Sequence, residues 1–109
     1  MMTRPLKPYI AVLLFESSGR PQLFSEDFVL LRAGSEEEAR TRAEERGRAG
    51  ETAFQNEAGE TIKWTLRHVV DVAEVLDDDL SQDTDLYSRH FRDISAYEAF
   101  EPLLSGWEL

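Results

Sequence analysis

No stretch restricts the fold of this chain more than Thr52 to Val75, a long alternation of polar and apolar residues folded about the turn Asn56-Glu57-Ala58-Gly59-Glu60. After the turn the even positions are Ile62, Trp64, Leu66, His68, Val70 and Val72, and the odd ones begin Thr61, Lys63, Thr65 and Arg67. A period of two is that of a strand with one buried face and one wet face. Gly59 accepts a left-handed backbone without a Cβ clash and Asn56 can bond its own backbone, so a hairpin is expected that pairs Thr52 to Asn56 with Glu60 onward. From Val69 the odd positions turn apolar as well, at Val69, Ala73 and Val75. Two readings fit: a bulge that shifts the register, or a second layer that covers that end.

The rest of the chain supplies what packs on this ribbon. Met1 to Pro8 carries two prolines and no periodicity and reads as a frayed lead-in. Tyr9 to Phe15 is apolar on both parities, the mark of a strand covered on both faces and central in its sheet. Arg4 and Lys7 ahead of it imitate a signal peptide, but the run is short and no small-residue cleavage site follows before Glu16. Ser17 to Pro21 has loop chemistry, and Leu23 to Ala33 is read as the antiparallel partner of the first strand. Ser35-Glu36-Glu37-Glu38 is a capping box with an acidic first turn, and predicts a helix from Glu36 to about Arg46 that stops at Gly47. Glu36/Arg40 and Glu38/Arg42 are its expected i,i+4 pairs, and its apolar side is only Ala39 and Ala43.

Residues 77–85 carry five carboxylates. Clustered carboxylate oxygens suit calcium, but an EF-hand loop needs Gly at its sixth position and Glu at its twelfth. Counting from Asp77 gives Gln82 and Ser88, and counting from Asp79 gives Thr84 and His90, so no metal site is assigned. The tail, 92–109 with Phe91 just before it, places Ile94, Tyr97, Phe100, Leu103 or Leu104 and Trp107 at helical spacing, and Ser95-Ala96-Tyr97-Glu98 repeats the capping pattern. Pro102 limits it to a short helix near Ala96 to Glu101 and an apolar hook. Its aromatics are expected to lie as a lid over the core or to dock on a second copy.

The order β-β-α-β-β, an acidic loop and a short C-terminal helix give an α+β domain with a four-stranded, mainly antiparallel sheet and one helix on a face. At 109 residues one domain spanning 1–109 is expected. With no cysteine there is neither a disulfide nor a thiolate nucleophile, which fits a reducing, cytoplasmic compartment. The net charge of -10 disfavours binding to a phosphate backbone, and no apolar run is long enough to span a bilayer.

The two histidines, His68 and His90, belong to no metal or triad spacing, and no glycine-rich phosphate loop is present, so neither catalytic residues nor a cofactor are assigned. His68 lies on the apolar parity of its strand and reads as a core histidine. Tyr87, Ser88, Arg89 and His90 form a small cluster of reactive types, and with Trp64 they are the candidate binding residues. If 86–91 is extended, Tyr87, Arg89 and Phe91 share one face. Tyr87 then packs over the sheet and Arg89 pairs with an acid, most simply anchoring the acidic loop.

Asn56 to Trp64, Val70 to Val75 and Asp83 to Arg89, with a Leu13 to Ser17 strand and a Glu-rich helix start at Ser35 to Ala39, resemble a small bacterial family known as domain of unknown function 4288. The resemblance runs roughly from Tyr9 to Phe91, and Tyr87-Ser88-Arg89 is its most distinctive segment. It implies a bacterial origin and one compact domain, and it implies no activity.

Two functions follow from the residues. The first is an acidic, non-catalytic binding or adaptor module for a basic protein, supported by the charge and by Trp64, Tyr87, Phe91, Tyr97, Phe100 and Trp107, since aromatics anchor interfaces. The second is a small-molecule binder or enzyme built on Tyr87, Arg89 and His90. A sheet edge also makes a homo-oligomer an expectation.

Overall fold

The computed structural model describes residues 5–77 and 79–101. It contains β1 (Lys7–Ser17), β2 (Phe24–Ala33), α1 (Glu36–Ala49), β3 (Thr52–Gln55), β4 (Thr61–Glu74) and α2 (Ile94–Phe100). The four strands form one antiparallel sheet in the order β2-β1-β4-β3, with α1 on one face, so the α+β architecture and the central place of β1 agree with the sequence. β1 begins at Lys7, earlier than the prolines suggest. Pro8 lies next to the strand's first residue, where a missing N–H is tolerated. Residues 1–4 of the expected lead-in lie outside the described residues.

The β3–β4 hairpin closes as its turn residues dictate. Gly59 has φ of 80°, and the Asn56 Oδ1 accepts the N–H groups of Ala58 and Glu60 at 3.0 and 2.9 Å. These bonds tie the reversal to one side chain and one left-handed glycine.

Further along β4 the simple alternation breaks. Its register against β1 shifts between Val12 and Leu13 and again between Leu14 and Phe15, so Val70 and Arg67 are extra residues. Each bulge reverses which parity faces α1. Leu66, Val69 and Val72 lie opposite Phe15, Leu13 and Ala11, whereas His68 lies opposite Leu14 on the other face. His68 is therefore an exposed residue and not a core histidine, and Val70 is exposed too. Both readings of the Val69 to Val75 end hold: the register shifts, and a second layer covers the strand.

The core consequently has two layers. Tyr9, Ala11, Leu13 and Phe15 of β1 pack with Leu31, Ala33 and Val72 beneath Ala39 and Ala43 of α1. On the opposite face Ile10, Val12 and Val75 are covered by Leu80 and Tyr87. The segment after β4 therefore provides a second, partial roof.

α1 is three residues longer than its sequence suggests, because Gly47 lies inside it and Gly50 is its C-cap. A glycine in a helix costs about 1 kcal/mol relative to alanine. Here it permits a close approach, since a Cβ at Gly47 would stand 2.7 Å from Leu66 Cδ2. The Glu36–Arg40 pair forms at 3.1 Å. The expected Glu38–Arg42 pair does not, because each has another partner: the Glu38 carboxylate accepts from the Gly34 N–H at 3.1 Å, and Arg42 donates to the Arg32 carbonyl of β2. Ser35 Oγ caps the helix by accepting from the Glu38 N–H at 3.2 Å. Ser35→Ala is expected to lower the free energy of unfolding by about 1 kcal/mol in a urea titration, and Ser35→Asp to retain most of it. With a capping contribution this size, equal stability of the alanine variant would mean that the helix start is held by other contacts.

α2 spans Ile94–Phe100, slightly earlier than expected, and its N-cap is Asp93, whose Oδ1 accepts the Ala96 N–H at 3.2 Å. Ser95, the sequence candidate for the cap, is within the helix. All residues from Phe91 to Phe100 are exposed, so this part of the tail does not seal the core as a lid. Leu80 and Tyr87 take that role. Leu103, Leu104 and Trp107 lie outside the described residues. Among the described residues no helix is long and apolar enough to cross a membrane.

Candidate functional site

The chain leaving β4 doubles back across the sheet face that α1 leaves uncovered, and Tyr87 fixes its course. The Tyr87 hydroxyl donates to Asp71 Oδ2 of β4 at 2.5 Å, and its ring lies 6.3 Å from that of Phe28 at a 43° tilt. Apolar contact with Ile10 and Val12 thus comes with a hydrogen bond that sets the orientation. Two residues on, Arg89 reaches Glu26 of β2 at 3.6 Å. This corrects the expectation that Arg89 anchors the acidic loop. Its carboxylate partner comes from a strand edge distant in sequence, while Asp77 and Asp79 accept from the loop's own backbone and from Ser81. Those bonds from Ser81 hold the Asp79 carboxyl below its ordinary range. Asp78 lies outside the described residues.

Between β2, the 84–91 segment and α2 lies a cleft of about 730 Å³. Tyr87, Arg89 and Phe91 all line it, together with Glu26, Phe28 and Phe100. A second cleft of about 700 Å³ adjoins it, shares Glu26, Arg89, Phe91, Tyr97 and Phe100 with it, and takes in His90. Phe91 and Tyr97 line both, stacked with ring centroids 4.9 Å apart and planes within 4°.

Of the five candidate binding residues, Tyr87 and Arg89 therefore share one cleft, and Arg89 and His90 share the next. Ser88 is exposed and lines neither. Trp64 is on the opposite face of the sheet, packed against the core under α1 and lining a separate hollow of about 210 Å³ with Phe15 and Gly50. Strand parity alone could not place Trp64 relative to Tyr87, because the path of residues 75–86 decides which face Tyr87 covers. Sequence reasoning missed Glu26 and Phe28. A signal for them existed, since β2 is apolar on both parities and only one of its faces can lie under α1.

The chemistry of these side chains is mutually committed. The Tyr87 hydroxyl is given to Asp71, the Arg89 guanidinium to Glu26, and His90 faces the neighbouring cleft. Among the described residues no three His, Cys, Asp or Glu side chains come together as a metal site would require.

Burial first, and then the Asp71 hydrogen bond, push the Tyr87 phenol above its ordinary value of 10.0. The folded chain thus holds this proton more tightly than the unfolded chain does. The associated stabilisation is complete below the unfolded value and is lost as pH rises through the raised one. Tyr87→Phe is expected to cost about 1 kcal/mol at neutral pH, the scale of one hydrogen bond, and to flatten the fall in stability above about pH 10. Urea titrations of both proteins across that range would show the two curves converging. Parallel curves would contradict the assignment.

A family model described as Domain of unknown function (DUF4288) matches residues 8–88. The match takes in the sheet except Lys7, with α1 and Tyr87, and ends one residue before Arg89. No curated protein and no solved structure matches the chain.

Proposed function

The chain belongs to the DUF4288 family of unknown function, and from that premise we propose that it is a non-catalytic protein-binding module whose partner is a basic protein. The observation that carries this reading is the group of large aromatic side chains left in water around one cleft, with Phe28 61%, Phe91 56% and Phe100 69% exposed. Apolar surface in water costs roughly 25 cal/mol per Å², and a contiguous patch bounded by polar groups is the kind of surface that partners cover. Aromatics at such positions supply much of the binding energy of interfaces.

Charge supports the choice of partner. Among the described residues lining this cleft, three carboxylates, Glu26, Asp85 and Glu101, stand with one guanidinium, that of Arg89. A net charge of -10 would attract a basic protein over a longer range and speed its encounter. The absence of cysteine supports a reducing compartment, which for the bacterial origin that the resemblance implies is the cytoplasm. The small-molecule or enzyme reading draws less support, since Tyr87 and His90 line different clefts and only Arg89 borders both.

The test is capture on the tagged chain, compared with Phe91→Ser/Phe100→Ser and with a Phe54→Ser control from the other face of the sheet, each shown by circular dichroism to be folded. The expected result is a stoichiometric basic protein held by the parent and the control, lost by the double variant, and released as salt rises from about 50 to about 500 mM. Retention by the double variant would overturn the reading.

A further inference from the structure

The two edges of the sheet differ. On one side β3, four residues long, pairs only with Thr61–Trp64, and the rest of the β4 edge is broken by the bulges at Arg67 and Val70, so it offers little to an incoming strand. β2 is ten residues long, pairs with β1 in unbroken register from Lys7↔Ala33 to Glu16↔Phe24, and exposes Phe24, Phe28 and Leu30. Among the described residues no strand lies beyond it.

The direction of its free backbone groups can be read from two bonds. Arg42 donates to the Arg32 carbonyl, so that carbonyl points away from β1. Pro8, opposite Arg32, turns its own carbonyl the other way, to the Val75 N–H of the β4 side, at 3.0 Å. Antiparallel alternation then sends the N–H and C=O groups of Leu30, Phe28, Glu26 and Phe24 outward. Beside this edge runs an open groove of about 740 Å³ along Phe28 to Arg32, flanked by Arg42, Glu45 and Arg46 of α1.

We infer that the occupant of this edge is the β2 strand of a second copy of the chain, antiparallel and related by a twofold axis at Val29. In that register the outward-facing residues of one copy oppose those of the other, so both sets of backbone groups are paired. Glu26 of each copy then stands opposite Arg32 of the other, and Phe28 opposite Leu30, on the same sheet face. Opposite charges and apolar pairs directly across an antiparallel ladder are the favourable combinations. Asp27 of each copy falls opposite Leu31 of the other, on the α1 side near Arg42. Arg42 can therefore exchange the Arg32 carbonyl, which the new ladder requires, for a carboxylate. Both the charge pairing and the apolar pairing are self-complementary, as a twofold interface demands. This inference shares Glu26 and Phe28 with the cleft of the basic-partner reading, but it rests on the backbone of β2 and needs neither Phe91 nor Phe100.

The test is light scattering during size exclusion on the full chain across a concentration series, with Glu26→Arg, Arg32→Glu and the double swap. The parent should be in a concentration-dependent monomer–dimer equilibrium. Each single swap places like charges opposite each other at two symmetric points and should raise the dissociation constant by about 10-fold or more, and the double swap should restore it. Arg89→Ala should leave it unchanged, which separates loss of the Glu26–Arg89 pair from loss of the interface. Amide exchange at Phe28 and Leu30 should slow as dimer accumulates. A parent that stays monomeric up to about 1 mM would overturn the inference. So would a dimer indifferent to the single swaps, or protection of those amides that does not change with concentration, which would mean that the chain's own residues cover the edge.

Discussion

Leu13→Ala should lower the free energy of unfolding by roughly 3–5 kcal/mol, a large part of the 5–15 kcal/mol that domains of this kind possess. Leu13 is 1% exposed and is one of the two largest side chains fully enclosed by the protein. It sits in the middle of β1, opposite Asp27 of β2 on one side and Val69 of β4 on the other, beneath α1. The loss includes the transfer energy of the removed carbons and the cavity they leave. Collapse around that cavity is restricted, because the β4 register shifts on either side of the Leu13 and Leu14 pairings, so β4 cannot slide to fill it without changing face. Equilibrium urea unfolding of parent and variant measures the difference. A loss below about 1 kcal/mol would mean that α1 does not seal this face of the sheet.

The opposite kind of change tests how closely α1 lies on the sheet. Ala43→Leu is expected to destabilise by about 1–3 kcal/mol and to lower the thermal midpoint by roughly 4–8 °C for each of them. Ala39 and Ala43 have no accessible surface, and one turn further on Gly47 touches Leu66 so closely that even a methyl group would force that side chain to move. Three added carbons at position 43 have no space unless the helix lifts from β1 and β4. Thr41→Leu, on the exposed side of α1, should change stability by less than about 0.5 kcal/mol. If Ala43→Leu raised the midpoint, the small-residue face would be an unfilled gap and not a close contact.

Features set by neighbours in sequence were legible before the structure. The Asn56–Glu60 turn, the Ser35 cap and the doubly apolar β1 each follow from residues within a few positions of one another, and each is where the sequence puts it. The bulges at Val70 and Arg67 were only half legible. The apolar odd positions after Val69 announced a disturbance, but its location depends on which residues of β1 face β4. That is also why strand parity alone puts His68 on the wrong face. Gly47 is ambiguous for a related reason: as a local signal it ends a helix, whereas here the Leu66 side chain beneath it leaves no room for a Cβ and the helix runs on to Ala49.

The candidate site divides in the same way. Tyr87 and Arg89 stood out as a cluster, and the prediction that Tyr87 packs over the sheet while Arg89 meets an acid is what the structure contains. The identity of that acid was not legible, since Glu26 is far away in sequence and reaches Arg89 only because residues 79–93 return across β1 and β2. Trp64 is like them in residue type alone, and the sheet separates it from them.

The proposed binding face is tested most directly by site-specific photocrosslinking in cells, with a benzophenone side chain at position 91 and, separately, at position 54. Phe91 lies on the proposed binding face, and Phe54, paired with Ile62 in the same register that places Trp64 on the α1 side, lies on the other. One predominant adduct is expected from position 91, with a basic protein, and none of it from position 54. An equal yield from both positions, or an adduct from position 54 alone, would contradict it.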